Sequence, residues 1–322
     1  MRRNKIYLIT TILALFTNYG FAQQKPQYSQ YMNNQFLLNP AVAGTSGQID
    51  MKAGFRQQWA GINDAPRTFY VSGNMGIGEQ SGKLMKGNNL SGKSGHGIGC
   101  IALKDQTGPL SWTSMYVSYA YHMQMSQDFM ASLGASVGFQ QFNLDGSRLL
   151  YVDQTVAGIG NISNTTPDAN LGLWVYGKNL YFGASVQQIV PSKIDGYTTT
   201  SGTNGSNQLA KHYFITAGYK YDINKEFSLI PSFMVKIQNP SPTSLDLNGK
   251  VVFKEKVWAG LSYRLSDGAT IMAGCVVKDL INISYAYDYI TSDLRAYQSG
   301  SHELIIGCKL SKGKKRSNGA FW

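Results

Sequence analysis

Four histidines, His96, His122, His212 and His302, are the side chains that could exchange protons near neutral pH. Nucleophilic hydrolysis needs such a base beside a nucleophile, with a third group orienting it. Ser118 precedes His122 by four residues. On a strand that spacing puts both on one face, but about 13 Å apart, too far for proton transfer unless a neighbouring strand supplies a partner. Metal-ligand spacing is absent: there is no HExxH, no histidine pair at alternate strand positions and no Asp/Asn-rich calcium loop. Cys100, Cys275 and Cys308 are odd in number, widely separated and free of any CxxC pattern, so they read as small apolar strand residues. The glycine-rich piece GHGIGC (95–100) precedes no helix and so makes no phosphate cradle. The sequons at Asn161, Asn164 and Asn204 lie in Asn/Ser/Thr-rich loops, where the pattern arises by chance. The sequence therefore predicts no catalytic residue, no metal and no cofactor, and a protein that is not an enzyme.

The chain opens with Arg2, Arg3 and Lys5, an apolar run from Ile6 to Phe16, and small residues Gly20 and Ala22. The run falls short of the roughly 20 residues of a spanning helix, so residues 1–22 are predicted to be a signal peptide. No cysteine stands directly after the cleavage point, where a lipoprotein would carry one. Of 29 Lys and Arg, removal of those three leaves 26 against 18 acidic residues, a mature net charge of +8.

Elsewhere no apolar twenty-mer occurs, yet 43% of residues are hydrophobic, 12% aromatic and 35 are glycine. Charged residues are 15%, below the roughly one quarter usual for a soluble domain, which argues against an exported β-sandwich. Short alternating segments of this composition suit a closed transmembrane sheet. Ile281, Ile283, Tyr285 and Tyr287 interleave with Asn282, Ser284, Ala286 and Asp288, one face for lipid and one for a wet lumen. Segments of this kind fall near 48–59, 66–76, 95–105, 110–123, 128–140, 168–177, 180–189, 210–222, 226–237, 243–254, 256–265, 269–278, 280–289 and 301–310. The predicted fold is all-β: a transmembrane antiparallel β-barrel of about 14 strands over residues 48–310, in a Gram-negative outer membrane.

Outer-membrane barrels alternate long outer loops with short inner turns. Long connections follow the fifth, seventh and thirteenth segments, and short ones the sixth, eighth, tenth and twelfth. The connection 77–94 breaks the pattern, being long after the second. Either the count fails there or a basic loop carrying Lys83, Lys86 and Lys93 faces the periplasm, as a solvated turn or as a partner contact. A basic tail, 311–322, follows the last segment and could meet phospholipid headgroups, a partner, or nothing.

Between signal and barrel lies a polar segment, 23–47, rich in Tyr, Gln and Asn, breaking at Asn39-Pro40 and turning at Ala43-Gly44. It could plug the lumen or pair with a partner's sheet edge, and its turn residues favour an ordered lumenal or rim position. Tyr28, Gln30, Tyr31, Asn39, Pro40, Arg56 and Trp59 are its and its neighbourhood's candidate partner-binding residues.

The runs QYSQYM (27–32), LLNPAVAG (37–44) and FRQQWAGINDAPRT (55–68) resemble the opening of the PorP/SprF-type outer-membrane proteins of the type IX secretion system. DQTGPLSWTSMYVSYAYHM (105–123) and QFNLDGSRLL (141–150) are similar to that family too, so the resemblance covers nearly all of the mature chain. It implies a non-enzymatic secretion component that helps secrete or anchor a large cell-surface adhesin of gliding-motility type. The partners it implies are that adhesin or its C-terminal signal domain, and periplasmic ring or peptidoglycan-linked components. Composition alone leaves a passive diffusion channel for small solutes open as the alternative.

Overall fold

The computed structural model describes residues 27–77, 94–149, 160–191, 209–239, 241–265, 267–291 and 293–310. The expected signal peptide, the basic tail and nearly all of the 77–94 connection lie outside them. β1 (Ile49–Gln57), β2 (Arg67–Ile77), β3 (Gly95–Thr107), β4 (Leu110–Gln124) and β5 (Phe129–Leu144) run as an antiparallel meander. β6 (Ile162–Gly177), β7 (Leu180–Gln187) and β8 (His212–Tyr219) continue it, and the two-residue β9 (Tyr221–Asp222) extends β8 past Lys220. β10 (Phe227–Gln238), β11 (Ser241–Phe253), β12 (Val257–Arg264) and β13 (Gly268–Val277) follow. After β14 (Ile281–Ile290), β15 (Ser301–Leu310) pairs with β1 and closes the barrel. With β8 and β9 taken as one strand, the barrel has the fourteen strands that the alternation predicts.

The burial pattern is that of a soluble protein turned inside out. Val117, Val137 and Leu261 are 65%, 65% and 64% exposed on the outer face, whereas Ser118, Ser132 and Glu303 inside are 1%, 0% and 1% exposed. Lipid is the solvent that accepts such a surface, and closure leaves no unpaired strand edge around the wall. No described helix is long and apolar enough to cross a membrane; this chain crosses with strands. Cys100, Cys275 and Cys308 are free thiols at outward positions of β3, β13 and β15. Apolar N-alkylmaleimides are expected to label them in membranes while charged, membrane-impermeant maleimides do not, a difference that mass spectrometry reads directly.

The largest boundary difference from expectation is at the start of β6. β6 begins at Ile162, six residues ahead of the predicted 168, and pairs with β5 from Phe129↔Gly177 to Leu144↔Ile162. The run ISNTTP reads locally as loop, but the ladder offered by β5 carries it as strand, as tertiary pairing commonly overrides such propensity.

Antiparallel parity assigns the connections to two ends. One end carries 58–66, 145–161, 188–211 and 291–300, the longer set; the opposite end carries the start of β1, the end of β15 and tight turns such as Lys254-Glu255. By the loop-length rule the first is the outer end and the second the inner, periplasmic end. The flanks of the long 77–94 connection, Ile77 and Gly95, lie at the inner end, so the strand count stands.

Candidate functional site

The described chain begins inside the barrel. From Gln27 it descends through three 3-10 helices, Tyr31–Asn33, Gln35–Leu37 and Pro40–Val42, before emerging at Gly47 to start β1. Two ionic anchors hold its beginning near the outer half. Arg264 on β12 grips Asp246 through two bonds of 2.9 Å, and also donates to the Gln27 side chain at 2.8 Å. Arg56 on β1 pairs with Asp288 of β14 at 2.7 Å and Glu303 of β15 at 3.2 Å. Ser29 enters that cluster: its N–H donates to Glu303 at 2.8 Å, its hydroxyl donates to Asp288 at 2.6 Å, and Arg56 donates to the same hydroxyl.

Below these anchors the segment fills the cross-section. Tyr31, Met32 and Leu38 pack against Phe214, Met234, Val252, Trp258, Met272 and Ala286 on one side. Phe36, Ala41, Val42 and Ala43 pack against Ala120, Met130, Trp174, Tyr176 and Tyr181 on the other, and Leu37 meets Tyr70 and Ile305. The contacts therefore run round the barrel wall. Backbone polar groups that this burial strands are met by wall side chains. Ser185 and Gln187 donate to the carbonyl of Leu38 at 2.7 and 2.9 Å, Asn74 accepts from the Gly44 N–H at 3.0 Å, and Ser132 donates to the Ala41 carbonyl. Asn39 caps the third helix by accepting from Ala41 N–H at 2.9 Å, the role for which its residue type is favoured there. Two wall glycines give the backbone room: a Cβ on Gly97 would lie 1.9 Å from the Ala43 oxygen, and one on Gly134 would lie 2.3 Å from the Ala41 nitrogen.

The histidines have structural partners. His122, fully buried, meets the Ala43 carbonyl through Nε2 at 2.7 Å and the Tyr176 hydroxyl through Nδ1 at 3.1 Å, which makes Nε2 the protonated nitrogen. His96 and His302 contact Tyr119 and Tyr285 on the outer surface. Among the described residues no group of three His, Cys, Asp or Glu is arranged to hold a metal ion.

The seven residues singled out from the sequence fall into two sets. Gln30, Tyr31, Asn39 and Arg56 are buried, with their polar groups bound inside the barrel: Gln30 to the Glu303 carbonyl at 3.1 Å, Tyr31 to Asn248, Asn39 to the Leu173 carbonyl at 2.9 Å. Tyr28, Pro40 and Trp59 border a cavity of about 1000 Å³, as the Arg56 side chain also does from its buried position. This vestibule stands above the plug, whose Phe36, Leu37 and Leu38 form its floor, and the outer ends of the strands form its walls. Sequence reasoning missed the wall residues that matter most here, Asp105, Trp112, Glu303 and Asp288; the only signal for them was their inward position in the alternation.

Residues 20–308 match the model of a family described as type IX secretion system membrane protein PorP/SprF. No curated protein matches the chain. Among solved structures it is similar to the Ralstonia pickettii toluene transporter TbuX at 10% identity, over 87% of this chain and 92% of that one, with a TM-score of 0.50. A Pseudomonas aeruginosa FadL homologue is similar at 10% identity, over 89% and 94% of the two chains, with a TM-score of 0.47. At such identity the likeness to the toluene transporter speaks to the barrel fold alone.

Proposed function

The chain belongs to the PorP/SprF family of type IX secretion system membrane proteins, and from that premise we propose that it is a non-enzymatic outer-membrane component that secretes or anchors a large cell-surface adhesin. The adhesin's C-terminal signal domain is held at the outer mouth, with Trp59 and Tyr28 among its contacts, and the inner end meets periplasmic ring or peptidoglycan-linked components. The chain reaches the membrane through a signal peptide, residues 1–22. The observation that carries the reading is the plug: a lumen packed across its section beneath a cavity of about 1000 Å³ suits a receptor better than a conduit.

Deleting the gene is expected to remove one large protein from the cell surface while small-solute permeability stays at the parental level. Purification of the tagged mature barrel from its own outer membrane is expected to bring down that protein or periplasmic secretion components. A passive diffusion channel, the competing reading, requires the opposite: raised resistance to small solutes on deletion, steady conductance of the purified barrel, and no surface protein lost.

A further inference from the structure

Among the described residues, four of the six carboxylates that face the outer half of the lumen are ion-paired within the chain. Asp246 and Asp267 are held by Arg264, and Asp288 and Glu303 by Arg56. Asp168 accepts from the Tyr116 hydroxyl at 2.6 Å, from Gln140 at 2.5 Å and from the Ala169 N–H at 2.8 Å. Asp105 is the least satisfied of the six. It is 9% exposed, accepts from the Thr68 hydroxyl at 2.5 Å through Oδ1, and has no ion pair among the described residues, while its side chain borders the vestibule. A carboxylate so buried with one hydrogen bond and no ion pair is costly, and a ligand that brings a cation into contact recovers part of that cost.

The surroundings define the ligand further. Trp112 is the direct cross-strand neighbour of Asp105, and its ring lies 4.7 Å from that of Phe142. Both aromatic rings and Leu103 line the same cavity. A carboxylate beside an aromatic face and an aliphatic wall is complementary to a lysine or arginine side chain, whose charge meets the acid and the ring while its stem lies on apolar surface. Among the described residues, six carboxylates against Arg56, Lys236 and Arg264 also leave this half of the lumen negative in a chain whose mature net charge is +8, so the sign is local to the site. A negative cleft draws cations and repels acidic chains.

We propose that the Asp105 corner of the outer vestibule is a binding subsite for a lysine or arginine side chain carried by a polypeptide that enters from outside. This deepens the receptor reading and rests on it for the identity of the polypeptide, but not for the chemistry.

The test uses the purified mature barrel in detergent at low ionic strength, with dansyl-labelled tetralysine and tetraglutamate as probes and anisotropy as the readout. Tetralysine is expected to bind saturably and tetraglutamate not to bind. Asp105→Asn is expected to weaken tetralysine about tenfold, and Trp112→Leu, which leaves the acid in place, by a similar factor; Asp128→Asn, on an inner turn, changes nothing. If Asp105→Asn does not fold, Trp112→Leu decides. Equal binding by the wild type and the folded variants, or equal binding of both peptides, overturns the proposal. Tetralysine binding that appears only when residues 23–26 are removed also overturns it, giving the site to the chain's own Lys25. Loss of the subsite with normal surface display of the adhesin leaves the receptor reading standing, and loss of display with intact peptide binding does the reverse.

Discussion

Gly134→Leu is expected to turn an electrically silent barrel into a conducting one. A Cβ at this position would lie 2.3 Å from the Ala41 nitrogen and 2.4 Å from its Cα, both backbone atoms of the third plug helix that no rotamer change can move. β5, which carries Gly134, is paired on both sides, to β4 and to β6, over its full length. The plug segment is held by side-chain bonds and packing and has no ladder of its own, so the plug yields before the wall does. Overpacking of this kind costs about 1–3 kcal/mol or more, and displacement of the plug relieves it. Planar-bilayer recordings are expected to show discrete openings for Gly134→Leu and none for the parent. Gly249→Leu, where a Cβ meets nothing within 4 Å, is expected to stay silent. Heat-modified migration on gels confirms in each case that the barrel has folded. A folded Gly134→Leu barrel that stays closed would mean the plug is not the seal.

The wall was legible in the sequence because a transmembrane strand advertises itself locally. Ile281, Ile283 and Tyr285 against Asn282, Ser284 and Ala286 encode both faces of β14 within six residues, and the same period recurs fourteen times. Where both faces leave the bilayer the signal fades, which is why Ile162 to Pro167 read as loop. The plug posed a different difficulty. Interleaved Tyr, Gln and Asn show that the segment hydrogen-bonds to something, but the partners of Ser29 and Gln30 lie more than 250 residues away, on Asp288 and Glu303. An amide or hydroxyl that binds a wall strand has the same residue type as one that binds another protein. Gln30, Tyr31, Asn39 and Arg56 were therefore natural candidates for partner contact, although in the fold their polar groups bind the chain itself. Asp105 was invisible for a related reason: its lack of an ion pair among the described residues is a property of what surrounds it across three strands, and no spacing records that.

Arg56 shows what this internal use means for mutation. Arg56 and Glu303 are direct cross-strand partners on β1 and β15, the pair that closes the barrel between its first and last strands. Their side chains are 2% and 0% exposed, and Asp288 joins them at 12%. Arg56→Ala leaves two carboxylates facing each other in a site with almost no water, and also removes the donor to the Ser29 hydroxyl that ties the plug to this seam. Stranding buried charge in this way costs about 3–5 kcal/mol. The urea midpoint of the folded, fast-migrating form is therefore expected to fall sharply for Arg56→Ala. Arg56→Met combined with Glu303→Gln removes one charge of each sign, and is expected to recover more than half of the loss, since residues in one ion-pair network are strongly coupled. A double variant no more stable than the sum of its single changes would show that the cluster does not act as a unit. Recovery of stability without recovery of the surface display proposed above would point the other way, to a second, outward role for Arg56 through the vestibule it borders.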